Sequence, residues 1–233
     1  MENTRESFSV TARFTRALVE AITRQGGTVP DEMRQAMDQG ARVDMARQEA
    51  LWALFVAACP GEPLAALRLG TDLQAGHLDI VGMLLLSCDT LGDALEVLTE
   101  YAPIIGDNAR FEIVPLGAQV HLRYVPDYVQ CREQRVEAVM GCVAGLARWM
   151  TNGRFAPREI LFSHGARAEP AAYEALLGCP VRFGQAVNAV VMDTSALGQG
   201  IVQAGGALHL HLRALADDML ASLAQDSVSA RVQ

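Results

Sequence analysis

The sequence contains no lysine; all 19 of its basic residues are arginine. No basic run and no arginine–aromatic interleaving occurs, and the formal net charge is −8. Affinity for nucleic acid rests first on cations that neutralise phosphates, so this chain alone is not expected to hold DNA well. Cysteine is sparse: five residues, odd in number, with no Cys-x-x-Cys pair. That spacing excludes a disulfide framework and a cysteine-based zinc site, and it fits buried reduced thiols. Long apolar runs are missing too. The longest, residues 81–86 and 50–59, fall far short of the ~20 residues of a membrane span. The opening Met-Glu-Asn-Thr-Arg-Glu carries no charged-then-apolar leader pattern. The expectation is a cytoplasmic protein with no membrane partner.

Catalytic signatures are also missing. There is no glycine-rich phosphate loop and no Gly-x-Ser-x-Gly elbow. Ser163 and His164 are neighbours in sequence, but a catalytic triad is a spatial arrangement, so adjacency carries little weight. His209 and His211 stand two apart on a helical stretch; such residues point about 200° apart and cannot share one metal ion. Asp217 and Asp218 read as a solvated edge. The sequence therefore nominates no catalytic residue, no metal site and no cofactor.

What is present suits a globular domain: 51% hydrophobic and 20% charged residues in 233, long enough to bury a core without staples. Residues 1–70 read as helical. Phe14, Ala17, Leu18, Ala21 and Ile22 recur at helical spacing before Gly26-Gly27. Pro30 opens and Gly40 closes a second helix. Asp44 caps a third, carrying Leu51, Trp52, Leu54, Phe55 and Val56, and a short helix follows around residues 64–70. The second and third helices superficially resemble a helix-turn-helix, but the would-be recognition helix is apolar and asks for a core rather than a DNA groove.

From residue 71 to 205 the pattern is mixed. Residues 77–88 form an apolar helix or buried segment. Thr90 and Asp93 make a capping-box-like start for a helix with Leu91, Ala94, Leu95, Leu98, Tyr101 and Ile105 on one face. The period then changes to two: residues 110–114 and 119–125 read as a hairpin turning through Pro115-Leu-Gly-Ala. Residues 132–152 are the clearest helix. Then come a strand at 159–163, a helix at 170–178 and strands at 181–183 and 187–192. A last helix, 206–224, bears the stripe Leu208, Leu212, Leu215, Met219 and Leu223, which suits either its own domain or a partner helix. Residues 225–233 read as a frayed end or linker. The expected fold is α+β: a helical N-terminal part, then a small, mostly antiparallel sheet packed with helices, in a single domain over 1–224.

Polar or aromatic side chains inside otherwise apolar elements are the best hint of a site, because small-molecule pockets are apolar with a few placed polar groups. They are His77, Tyr101, Arg123, Tyr124, Trp149 and His164. Arg123 stands out. If helix 132–152 covers its strand face, its guanidinium must be paired, by a carboxylate ligand or by an internal Glu133 or Glu137.

Three stretches together resemble a known family. Gly76 to Leu95 (GHLDIVGMLLLSCDTLGDAL), Arg158 to His164 (REILFSH) and Tyr173 to Gly184 (YEALLGCPVRFG) with Asn188 resemble the arabinose-binding-like N-terminal domain of one subgroup of AraC-type transcription regulators, over about residues 8–224. The resemblance implies a domain that binds a small effector and mediates dimerisation as a homodimer, without a cupin barrel; the stripe on the last helix is a candidate dimer face. It also implies that DNA is bound by a C-terminal helix-turn-helix domain, for which this chain has no matching positions. Amino acids, fatty acids, aromatic acids and other catabolic metabolites all remain open as effectors. The competing readings are a purely structural dimerisation domain without ligand and a small hydrolase using His164.

Overall fold

The structure, a computed structural model, describes residues 9–39 and 42–232. It opens with a two-stranded ribbon that the sequence reading did not foresee: β1 (Ser9–Thr11) pairs antiparallel with β2 (Arg42–Asp44). Three-residue strands carry too little alternation to be read as strands. Between and after them lie α1 (Ala12–Arg24), α2 (Asp31–Gln39), α3 (Met45–Ala58) and α4 (Ala65–Asp72). The Asp44 carboxylate accepts from Arg47 N at 3.0 Å and starts α3 as expected. β2 enters directly between α2 and α3, and Leu51, Trp52 and Phe55 of α3 are buried, so this region forms a core rather than a DNA-reading unit. Gly40, expected to close α2, lies outside the described residues.

A 3-10 turn (Ala75–Leu78) leads into α5 (Asp79–Ser87) and α6 (Leu91–Ile105). Thr90 and Asp93 form a reciprocal capping box at the head of α6. At its foot, the Arg42 guanidinium donates to the carbonyls of Pro103 and Ile104, acceptors that a helix end leaves free.

The main sheet has the order β3-β4-β7-β5-β6, with β3 (Ala109–Leu116), β4 (Gln119–Pro126), β5 (Glu159–Leu161), β6 (Val181–Arg182) and β7 (Asn188–Asp193). All pairs are antiparallel except β5–β6. The β3–β4 turn is tighter than the sequence suggested. Pro115 and Leu116 stay in the strand, opposite Val120 and Gln119. Only Gly117 and Ala118 turn, and Gly117 takes φ +64°, the positive φ that two-residue hairpins require at their first position.

Val120, Leu122 and Tyr124 face the helices and are buried. Opposite them on the same face stand Ile113, Phe111, Val190 and Met192. α7 (Arg132–Met150) runs through the middle and is buried nearly all round, while α8 (Pro170–Leu177) closes the far end. α4 and α7 cross so closely that a Cβ on Gly70 would overlap the Ala138 carbonyl.

The last helix, α9 (Gly206–Val232), departs from expectation at its end. The segment from residue 225, read as frayed or linker, continues the helix to Val232. It holds no Gly or Pro to stop it.

Candidate functional site

A cavity of about 120 Å³ lies where the N-terminal helices meet the mixed core. α7 supplies one long wall: Arg135, Val139, Cys142, Val143, Leu146 and Met150. These residues follow one helical face over 15 steps, so the wall is about 22 Å long at 1.5 Å per residue. Opposite stand Leu91, Leu95, Leu98, Ala102 and Ile105 of α6. Phe14 of α1, Trp52 of α3 and Phe111 of β3 complete the apolar lining. A void of this volume stretched along four helical turns is a slot rather than a sphere.

The polar groups gather at one end. The Arg135 guanidinium stacks on the Tyr128 ring, 3.5 Å from its centroid. Tyr128 and Tyr124 hydroxyls lie 3.0 Å apart. Asn108 Nδ2 and Arg135 Nη2 share the Met45 sulfur, at 3.5 and 3.8 Å. Gln48, one turn beyond Met45 on α3, accepts from Thr15 Oγ1 at 3.0 Å.

Arg135 is only 5% exposed and Gln48 fully buried. Their Arg135 Nη1 and Gln48 Nε2 atoms are buried without a hydrogen-bond partner. Among the described residues no carboxylate forms an ion pair with Arg135. Burial pulls its pKa below the usual guanidinium value, opposed by the nearby Tyr128 and Tyr124 hydroxyls. Burial likewise pushes the Tyr128 hydroxyl up to about 12 and the Tyr124 hydroxyl well above the ordinary tyrosine value. Glu49 acts on Arg135 only from beyond ion-pair distance; a buried cation without a contact partner is costly, and here it borders an unfilled apolar space.

Of the six residues nominated from sequence, Tyr124 alone lines this cavity. Arg123 alternates with Tyr124 and points to the other face of the sheet, away from α7, where its Nε is buried without a partner. Glu137, offered as its partner, is instead engaged by Arg167 and Tyr173: Arg167 Nη2 donates to Oε2 at 2.5 Å and Tyr173 Oη to Oε1 at 2.8 Å.

His77 caps the 3-10 turn, its Nδ1 accepting from Gln74 N at 2.9 Å. Tyr101 is buried on the side of α6 that meets α9, donating to Asp217 Oδ1. Trp149 is 55% exposed beside a shallow groove. His164 packs at a tilt against the Phe162 and Phe183 rings, and its Nδ1 donates to the Gly165 carbonyl at 2.8 Å. Ser163 Oγ meanwhile donates to Asn188 Oδ1 at 3.1 Å, so the pair forms no nucleophile–base contact.

The C-terminal stripe divides. Leu212 and Leu223 pack partly against the core, whereas Leu208, Leu215 and Met219 are 52%, 43% and 39% exposed. The inward face runs instead through His209, Leu212, Ala216 and Leu220.

The crystal structure of the transcriptional regulator CdpR from Pseudomonas aeruginosa matches with a TM-score of 0.69 at 19% identity, a likeness of fold. The match covers 87% of this chain and 62% of that one, so the chain spans less than two thirds of that regulator. Family comparison is more specific: residues 19–201 match the N-terminal arabinose-binding domain of AraC transcription regulators, and the chain belongs to that family. No curated protein matches it.

Proposed function

We propose that this domain is the sensor of an AraC-type regulator. A small effector occupies the cavity between α6, α7 and the β3–β4 hairpin, and its presence is passed to α9. One observation carries the reading: a buried guanidinium, Arg135, with a free Nη1 on the wall of an unfilled apolar slot. A domain built only for structure gains nothing from a buried unpaired charge, because well-packed apolar residues are as stable or more so.

The route outward is short. One face of α6 lines the slot; another holds α9 through Tyr101 to Asp217, and Glu100 to Arg213 at 2.8 Å. His209 Nδ1 lies 3.1 Å from Ser87 Oγ at the end of α5. An effector that prefers one setting of α6 shifts the population of α9 positions. A coupling of about 1–3 kcal/mol changes promoter occupancy several-fold or more. Leu208, Leu215 and Met219 supply the face on which a second copy of the chain docks. DNA is contacted by a further, C-terminal helix-turn-helix domain, in keeping with the net charge of −8 here.

The test is thermal unfolding of the chain against sugars, amino acids, aromatic acids and aliphatic acids. A ligand that binds only the folded form raises the unfolding temperature. One chemical class is expected to do so, and Leu95→Trp, which fills the slot, to abolish the rise. A panel without any shift overturns the sensor reading in favour of a structural domain.

A further inference from the structure

We propose that the occupant is an amphipathic monocarboxylate: a straight-chain aliphatic acid with its carboxylate against Arg135 and Gln48 and its tail between α6 and α7. The proposal rests on the sensor reading above and names its ligand class.

Three observations converge. First, the unsatisfied polar atoms at the polar end are donors: Arg135 Nη1 and Gln48 Nε2 have no partner, and Asn108 Nδ2 has only the Met45 sulfur. In the Tyr124–Tyr128 pair one hydroxyl donates to the other, leaving one proton free for a ligand. A surplus of donors around a cation complements an anionic acceptor, and the flat guanidinium matches a carboxylate. An ammonium group would be repelled.

Second, beyond this end the wall holds no further charged group. Leu91, Leu95, Leu98, Leu146 and Met150 leave a polyol's hydroxyls nothing to bond. A pentose, polar at every carbon, therefore does not fit.

Third, the shape favours a chain over a ring. An engineered cavity of about 150 Å³ holds one benzene, whereas this one has about 120 Å³ drawn out between Arg135 and Met150. Met and Leu side chains along it can part further around a flexible tail.

The chain is titrated with octanoic, dodecanoic and hexadecanoic acids, dodecanol, dodecylamine, methyl dodecanoate and L-arabinose. Dodecanoic acid is expected to bind about tenfold or more tighter than dodecanol, as one charge-assisted hydrogen bond requires. The methyl ester, which stands for acyl groups carried on a larger molecule, should follow the alcohol, and the amine should not bind. Arg135→Met should make acid and alcohol equal while circular dichroism is unchanged. If that variant does not fold, Gln48→Met decides, expected to weaken the acid several-fold and spare the alcohol.

Equal binding of acid and alcohol by the unaltered chain overturns the proposal, as does an acid preference that survives both substitutions. If the acids fail while another class raises the unfolding temperature and Leu95→Trp blocks it, the sensor stands and the carboxylate falls. If no compound binds, both fall.

Discussion

Arg135 and Gln48 each sit on the apolar stripe of a helix. Gln48 leads Leu51, Trp52 and Phe55 at spacings of three, four and seven. Arg135 leads Val139, Cys142, Leu146 and Met150. A polar residue in register with a buried stripe is a readable signal, and it was the one that sequence reasoning missed. The nominated residues share apolar neighbourhoods but not one face. Strand alternation put Tyr124 in the cavity and Arg123 on the opposite face. The uncompensated charge carries its own prediction. Arg135→Met should leave the melting temperature of the ligand-free chain unchanged or higher, since removing an unpaired buried cation offsets the lost stacking on Tyr128. A fall of more than about 2 kcal/mol in denaturant titration would instead mark Arg135 as structural.

The chain has four tyrosines, and all are buried. Burial, reinforced at Tyr101 by its bond to Asp217 and at Tyr173 by Glu137, pushes the hydroxyls of Tyr101, Tyr128 and Tyr173 up to about 12. An unfolded tyrosine ionises near 10, so between the two values the unfolded chain has released protons that the folded chain keeps. Stability from these groups is fully present below about pH 10 and is lost as pH rises toward 12. Tyrosinate absorbance should therefore appear together with loss of the helical circular dichroism signal. Tyrosinate forming near pH 10 on a folded protein would refute the buried placement.

At the scale of elements, the motifs that carried the family resemblance prove to be structural. Thr90 and Asp93 cap α6. Asn188 Oδ1 accepts from Ser163 N at 2.9 Å and ties the end of β5 to β7. Gly184, at φ +67°, donates its N–H to the His164 carbonyl at 2.9 Å beyond the β5–β6 pair. Helix and strand identities were legible because caps, periods and turn residues act locally. The β1–β2 ribbon was not, because its pairing joins residues some thirty positions apart through three-residue strands.

The α4–α7 crossing was equally hidden. It depends on Gly70 meeting the Ala138 backbone and Gly141 meeting the Leu67 carbonyl, contacts that no local pattern announces. Gly70→Ala, which would raise intrinsic helix propensity, is expected to destabilise by about 1–3 kcal/mol through overpacking. Chemical denaturation measures this, and a stabilised variant would show that the helices are not in backbone contact.

On the scale of the whole molecule, the slot lies between two apolar clusters. One is built on α1, α3 and α4, the other on α5–α9 and the main sheet, and Phe14 packs against both. An occupant there bridges the two and touches the helix on which α9 rests. Among the described residues no helix is long and apolar enough to cross a membrane. The docking of a second copy proposed above rests on the exposed Leu208, Leu215 and Met219 of α9. Sedimentation of the chain should show a dimer, and Leu215→Glu with Met219→Glu should give a monomer of unchanged fold. A double variant that still dimerises would move the interface elsewhere.

A crystal structure of the chain grown with dodecanoic acid tests most directly that the slot is a ligand site. The expected result is a continuous chain of density from the Arg135 guanidinium toward Met150, with α6 and α7 parted around it. An interior closed by its own side chains, with Arg135 paired to a protein carboxylate and the acid absent or on the surface, would contradict it.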